Sequence, residues 1–160
     1  MDVSYIEDIR LFQRLSPRAI NALAGLFVLK RWSKGDTILR QGTPSNGVYL
    51  ILEGEVQVTR VTGAGTFVVL NQLQKGQVFG TLSTIDGGVR GADCIAYSDV
   101  TLGYMSKEDF NDLIKGSSTL AMGFQVAIIR SIFYDLRKTN EEFAELSSLS
   151  VFEDIQLIEE

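Results

Sequence analysis

Between Val28 and Tyr104 the chain breaks into short runs rich in Val, Ile, Leu, Thr and Tyr, each closed by a glycine-bearing turn. That texture predicts strands at Asp36-Leu39, Gly47-Glu53, Glu55-Val61, Thr66-Leu73, Val78-Phe79, Asp93-Ala96 and Val100-Met105. VTGAGTF is the clearest hairpin signal, with Gly63 and Gly65 expected to supply positive-φ positions between two β-rich runs. Short strands at such even spacing predict a small barrel or a double sheet.

Both flanks are helical. Ser16 is a natural N-cap, Pro17 follows at the first helical position, and Ile20, Leu23, Ala24 and Phe27 recur at helical spacing. Beyond the strands, Lys107 to Lys115 reads as a short helix capped by Ser106, and Gly116-Ser117-Ser118 ends it. A long helix then runs from about Thr119 to Leu146. It carries two apolar rows. Met122, Val126, Ile129, Phe133, Leu136, Asn140 and Phe143 alternate in steps of four and three, the seam of a coiled coil. Leu120, Phe124, Ile128 and Ile132 form the second row, suited to packing on the chain's own strands. One row is thus left for a partner, and a homodimer through the 119–146 helix is expected, with Asn140 fixing register. The expected organisation is one domain: a helical segment at 1–27, strands at 28–106, helices at 107–146 and an acidic-apolar tail at 147–160.

Composition removes several functions. With no histidine and a single cysteine, Cys94, there is no internal disulfide and no His- or Cys-rich metal site. The same lack rules out Ser-His and Cys-His catalytic pairs and a cupin-like metal centre, so no enzyme is expected. Fifteen Lys and Arg against twenty Asp and Glu give a net charge of −5, the wrong sign for a nucleic-acid backbone binder. From Thr139 onward there are seven acids and no Lys or Arg. No apolar run approaches the roughly 20 residues of a membrane span, and MDVSYIEDIR lacks the basic start and apolar core of a signal peptide. A cytoplasmic protein without membrane contact is the expectation. In the tail, Val151, Phe152, Ile155, Leu157 and Ile158 are expected to fold back on the dimer or to dock a partner. Cys94 reads as a small core residue.

One stretch looks like chemistry. VFGTLSTIDGGVRGADCIA, residues 78–96, crowds Gly80, Gly87, Gly88 and Gly91 around Arg90. Together with WSKGDTILRQGTPSNGVYLILEGEVQVTR and the markers Gly35, Gly42, Tyr49, Leu52, Gly54, Val56, Gly76 and Phe79, it resembles the cyclic nucleotide-binding domain family, over about Leu11 to Leu146. The family includes catabolite activator protein and the kinase A regulatory subunits. The resemblance implies a mainly β fold with flanking helices: an N-terminal helix, an eight-stranded, jelly-roll-like β-roll (a double-stranded β-helix) and a long C-terminal dimerisation helix. It implies cyclic AMP (cAMP) or cyclic GMP (cGMP) as ligand, with no resident cofactor and no metal.

On that resemblance FGTLSTIDGGVRGA is a phosphate-binding cassette. Arg90 would offer a planar fork to a cyclic phosphate, a charge-assisted contact worth about 1.5–3 kcal/mol. Thr81 to Ile85 would form one helical turn after Gly80, aiming backbone N–H groups at the anion. Phe79, Gly80, Thr81, Leu82, Arg90, Gly91 and Ala92 are the expected binding residues, with Thr139 and Asn140 of the long helix reaching toward the base. The family's Phe-Gly-Glu-Leu, however, reads Phe79-Gly80-Thr81-Leu82 here, so the carboxylate that accepts from the ribose 2′-hydroxyl is replaced by a shorter, neutral hydroxyl. Gly91 replaces a common Ser or Thr, and Asp93 brings a carboxylate that would compete for Arg90 if it faces inward. Three readings stay open: a cyclic nucleotide site with altered sugar recognition, a site retuned for another anion, and a ligand-free dimeric scaffold for an effector protein. Only SSLSVFEDIQLIEE follows the long helix, so no DNA-binding domain is expected.

Overall fold

The structure, a computed structural model, describes the backbone of residues 1–156 and the side chains of residues 1–148. Two 3₁₀ turns, Val3–Tyr5 and Arg10–Phe12, lead into α1, Pro17–Leu26. Ser16 caps α1 as expected, its hydroxyl accepting from the Ala19 N–H at 3.3 Å. Eight strands follow: β1 Val28–Trp32, β2 Thr37–Leu39, β3 Gly47–Glu53, β4 Val56–Val61, β5 Phe67–Leu73, β6 Val78–Phe79, β7 Asp93–Ala96 and β8 Val100–Ser106. A one-turn helix, α2, Thr81–Ile85, lies between β6 and β7, and the chain ends in α3, Lys107–Lys115, and α4, Thr119–Gln156.

The strands form two antiparallel four-stranded sheets, ordered β1-β8-β3-β6 and β2-β7-β4-β5, which is the β-roll. β3 explains how they are held. Its sequence GVYLILE lacks the apolar-polar alternation of a one-sided strand because both faces are covered. Val48, Leu50 and Leu52 point into a core shared with Phe12, Leu23, Phe110 and Phe124 of the helices. Tyr49 and Ile51 point between the sheets, against Val56, Phe79, Cys94 and Leu102. Cys94 is a core residue, and burial pushes its thiol up to about 12.

Three details depart from expectation. β1 is a strand that the apolar pattern did not mark, held by pairing with β8 from Val28↔Tyr104 to Trp32↔Val100 and by Lys30 lying 3.9 Å over the Tyr104 ring. In the β4–β5 hairpin only Gly65 takes a positive φ, +77°, while Gly63 does not; the turn closes through Gly65 N–H to Thr62 O at 2.9 Å. The last helix continues past Leu146 to Gln156. The side chains of Val151, Phe152, Ile155, Leu157 and Ile158 lie outside the described residues, as does all of 157–160.

α4 partitions its two rows as its spacing predicts. Phe124 and Ile128 are buried, with Leu120 and Ile132 packed at the edge of the same core, and Phe124 meets Phe110 edge-on at 5.8 Å. Met122, Val126, Ile129, Phe133, Leu136 and Phe143 stand exposed. By length and composition alone the helix over residues 119–148 could cross a membrane, since an 18-residue window within it has mean hydropathy 1.2. Here that apolarity is divided between a row seated in the core that α1, α3 and the N-terminal turns share, rather than on the strands themselves, and a row left bare.

Candidate functional site

The site is built where β6 ends. Gly80 sits at φ +81°, a left-handed conformation that turns the chain from β6 directly into α2. Val78 and Phe79 are buried before it, and Phe79 stacks on Tyr49 with ring centroids 5.3 Å apart and planes 15° from parallel. Thr81, Ser83 and Thr84 face inward, whereas Leu82 is 67% exposed and points away from the roll. The Thr84 hydroxyl lies within hydrogen-bond reach of Gly80 O at 2.7 Å, Gly47 O at 3.1 Å and the Ser45 hydroxyl at 2.6 Å. α2 is thereby tied to the loop before β3.

Arg90 returns to this corner. The loop carrying it is fixed by two backbone bonds, Arg90 N–H to Thr43 O and Gly42 N–H to Arg90 O, each 2.8 Å. Its side chain is only 3% exposed. Nη1 donates to Gly80 O at 2.7 Å and to the Ser83 hydroxyl at 2.9 Å, while Nη2 donates to Gly47 O at 2.6 Å and to Asn46 Oδ1 at 3.1 Å. All four terminal N–H bonds of the guanidinium are therefore engaged by the chain itself. The remaining donor, Nε, is buried without a partner; among the described residues only Thr59 Oγ1 shares that condition. Burial lowers the guanidinium from its ordinary value, and the hydroxyls of Tyr49 and Tyr104 and the Cys94 thiol oppose that shift. A cavity of about 220 Å³ opens beside it, lined by β2, Thr43, Pro44 and Asn46. This is smaller than the roughly 300–1,000 Å³ of most small-molecule sites.

Gly80 is also a steric requirement, since a Cβ there would lie 2.7 Å from Arg90 Nη1. Gly80→Ala is expected to cost about 1–2 kcal/mol for the left-handed backbone alone, and to displace the guanidinium. A melting curve superimposable on wild type would refute this.

Asp93 does not compete for Arg90. Its Oδ1 accepts from the Gln41 N–H at 2.6 Å, tying β7 to the loop after β2, and among the described residues it makes no ion pair. Gly91 is exposed with open space around it and Ala92 is half-buried. Thr139 and Asn140 are exposed on α4; the Thr139 hydroxyl donates back to Asp135 O at 3.0 Å, and neither residue bonds to the cassette. The α4 side chain that does reach the roll there is Lys138, which donates to Asn71 Oδ1 of β5 at 3.2 Å. Asp135, one turn earlier, is half-buried; desolvation raises its carboxyl, opposed by Lys138 and by a hydrogen bond from Gln77.

The residues missing from the expected set are Asn46, Gly47 and Ser83, which hold the guanidinium. Their types gave little signal, because an Asn-Gly pair in a loop reads as a turn and a serine in a one-turn helix as a local hydroxyl. Among the described residues no cluster of His, Cys, Asp or Glu could hold a metal.

Residues 29–117 match the family model described as the cyclic nucleotide-binding domain. The chain is 28% identical over 122 residues to the cyclic AMP receptor protein of Thermus thermophilus, a match covering 76% of this chain and 56% of the relative. Among solved structures it is similar to the Thermus thermophilus catabolite activator protein, with TM-score 0.73 and 27% identity over 86% of this chain and 62% of the other. A cyclic nucleotide-binding domain from Methylobacillus flagellatus shares the fold at TM-score 0.78 and 21% identity, covering 88% of this chain and 79% of that one. The chain thus spans little more than half the length of this curated relative.

Proposed function

Because the chain belongs to the cyclic nucleotide-binding domain family, we propose that it is a non-enzymatic regulatory module that holds a cyclic mononucleotide or related anion at Arg90 and signals through α4 to an effector protein in the cytoplasm. The observation that carries this reading is the buried guanidinium at the junction of β6, α2 and the loop before β3, beside an open cavity. A phosphate monoanion is the partner a buried arginine fork suits best. Binding would exchange some of the internal bonds of Arg90 for bonds to the anion, loosening α2 from Asn46 and Gly47.

The exposed seam of α4 supports pairing of two copies. Five large apolar side chains, Met122, Val126, Ile129, Phe133 and Leu136, lie on one face and are each 47–58% exposed. Such a row is suited to burial against its own symmetry mate.

Calorimetric titration with cAMP and with cGMP tests the ligand reading. Micromolar to sub-millimolar binding is expected. Thr81→Glu is expected to tighten it roughly 10- to 100-fold by restoring a charge-assisted acceptor for the ribose hydroxyl. An unchanged affinity would mean that the sugar is not read at residue 81. A second reading, a β-roll that serves as a dimeric scaffold without ligand or with another anion, is favoured by the saturation of all four terminal N–H bonds of Arg90 from within the chain. Absence of heat and of any melting shift at millimolar nucleotide would select it.

A further inference from the structure

The cavity beside Arg90 is lined by a second arginine, Arg40, and among the described residues by no acid. Arg40 follows Leu39, the last residue of β2, and is exposed. Its place on the cavity wall is fixed through its backbone, because Arg40 O accepts from the Thr43 N–H at 3.2 Å and from the Thr43 hydroxyl at 2.7 Å. Its guanidinium enters no ion pair; among the described residues the one salt bridge joins Lys138 to Glu142. The acids that flank Arg90 in sequence are committed elsewhere. Asp93 accepts from the Gln41 N–H at 2.6 Å, and Asp86 accepts from the Gly88 N–H at 2.8 Å.

Arg90 is itself short of negative charge. Its four acceptors, Gly80 O, Gly47 O, the Ser83 hydroxyl and Asn46 Oδ1, are all neutral, and its Nε has no partner. A cation only 3% exposed is costly to bury without a counter-charge, so such groups are ordinarily paired. Of the two side-chain acceptors, Asn46 is the one that lines the cavity. An anion entering there meets its bond to Nη2, at 3.1 Å the longest of the four. A singly charged phosphate diester would neutralise Arg90 and leave Arg40 to solvent. A phosphate monoester, with a second pKa near 6, carries close to two negative charges at neutral pH and matches both arginines.

We propose that this cavity takes a small-molecule phosphate monoester as its dianion, with Arg90 and Arg40 sharing the charge, in preference to the cyclic diester of the same nucleoside. This assignment rests on an anion being held at Arg90 and narrows its class. Arg40 is the residue that sets the charge preference. Because it is exposed, its contribution is modest and weakens with salt.

The test is calorimetric titration of the full chain with 5′-AMP, ribose 5-phosphate and cAMP at low salt, at pH 5.5 and 7.5. At pH 7.5 AMP should bind about two- to fivefold more tightly than cAMP. At pH 5.5 its affinity should fall about twofold as the dianion fraction drops, whereas cAMP, with no proton to gain in this range, should not change. The chain has no histidine to imitate that step, and Asp135, whose carboxyl burial raises, does not line the cavity. Ribose 5-phosphate showing the same step would place recognition in the phosphoryl group and sugar; AMP alone showing it would assign the monoester to a nucleotide. Arg40→Ala should lower the ratio of AMP to cAMP affinity about two- to fivefold, and Arg40→Lys should preserve it. Binding of cAMP that Arg90→Ala removes, with no binding of either monoester, overturns the dianion preference and leaves the cyclic nucleotide reading standing. An AMP affinity flat in pH, or an Arg40→Ala loss equal for AMP and cAMP, overturns it in the same way. No binding of any of the three overturns both.

Discussion

Arg90→Ala is expected to abolish detectable binding of a cyclic nucleotide and, in the absence of any ligand, to lower the melting temperature. The first effect follows from loss of a charge-assisted fork, roughly a 10- to 100-fold loss or more. The second follows from what the guanidinium does when the site is empty. It joins two pieces of chain far apart in sequence: Gly80 and Ser83 on one side, Asn46 and Gly47 on the other. Four charge-assisted bonds are lost, offset in part because a buried cation no longer has to be desolvated, so the net cost is about 2–4 kcal/mol. For a domain of this size that is a drop of about 5–15 °C. Thr84 still bridges α2 to Gly47, so the fold survives. A variant that binds no nucleotide but melts within a degree of wild type would show that the internal bonds contribute nothing. Binding must accordingly be compared well below the variant's own transition, with Arg90→Lys as the control that keeps the charge and loses the planar fork.

The two apolar rows of α4 are expected to respond to substitution in opposite ways. Phe124 is 1% exposed and packed edge-on against Phe110, so Phe124→Ala should cost about 3–5 kcal/mol at any protein concentration. Ile129 and Phe133 are 52% and 56% exposed. Replacing both with Glu should leave the monomer's fold intact and remove concentration-dependent association, because like charges would face each other across the seam. Sedimentation and a denaturant curve, each run at two concentrations, separate the outcomes. A wild-type chain that sediments only as a 17.7 kDa species at tens of micromolar would dismiss the seam as a homodimer surface. A double variant that unfolds would show that the row serves the chain's own core.

The sequence made the architecture legible wherever a local rule sufficed. Ser16-Pro17 and Ser106 marked helix starts, glycine punctuation marked strand ends, and the phase difference between Phe124 and Val126 separated a buried face from an exposed one. β1 was harder because VLKRW carries two basic residues; one of them, Lys30, is accommodated by the Tyr104 ring. Gly63 and Gly65 look alike in sequence, yet only one takes the left-handed conformation, since the choice belongs to the turn as a whole. At the site, the spacing of Gly80 and Arg90 was informative. What holds Arg90, and whether Asp93 opposes it, were decided by Asn46 and Gln41, loop residues whose roles exist only once β2, β3 and β7 are side by side.

The double engagement of Arg90 bears on how such domains diverge. A lineage that ceased to bind its ligand would still be selected to keep this arginine, because the corner it fastens is part of the folded state. The acceptor at residue 81 carries no such obligation and is free to drift. On the proposed reading of the pocket, a change at residue 81 therefore reports on what is recognised, whereas a change at residue 90 reports on recognition and on the fold together.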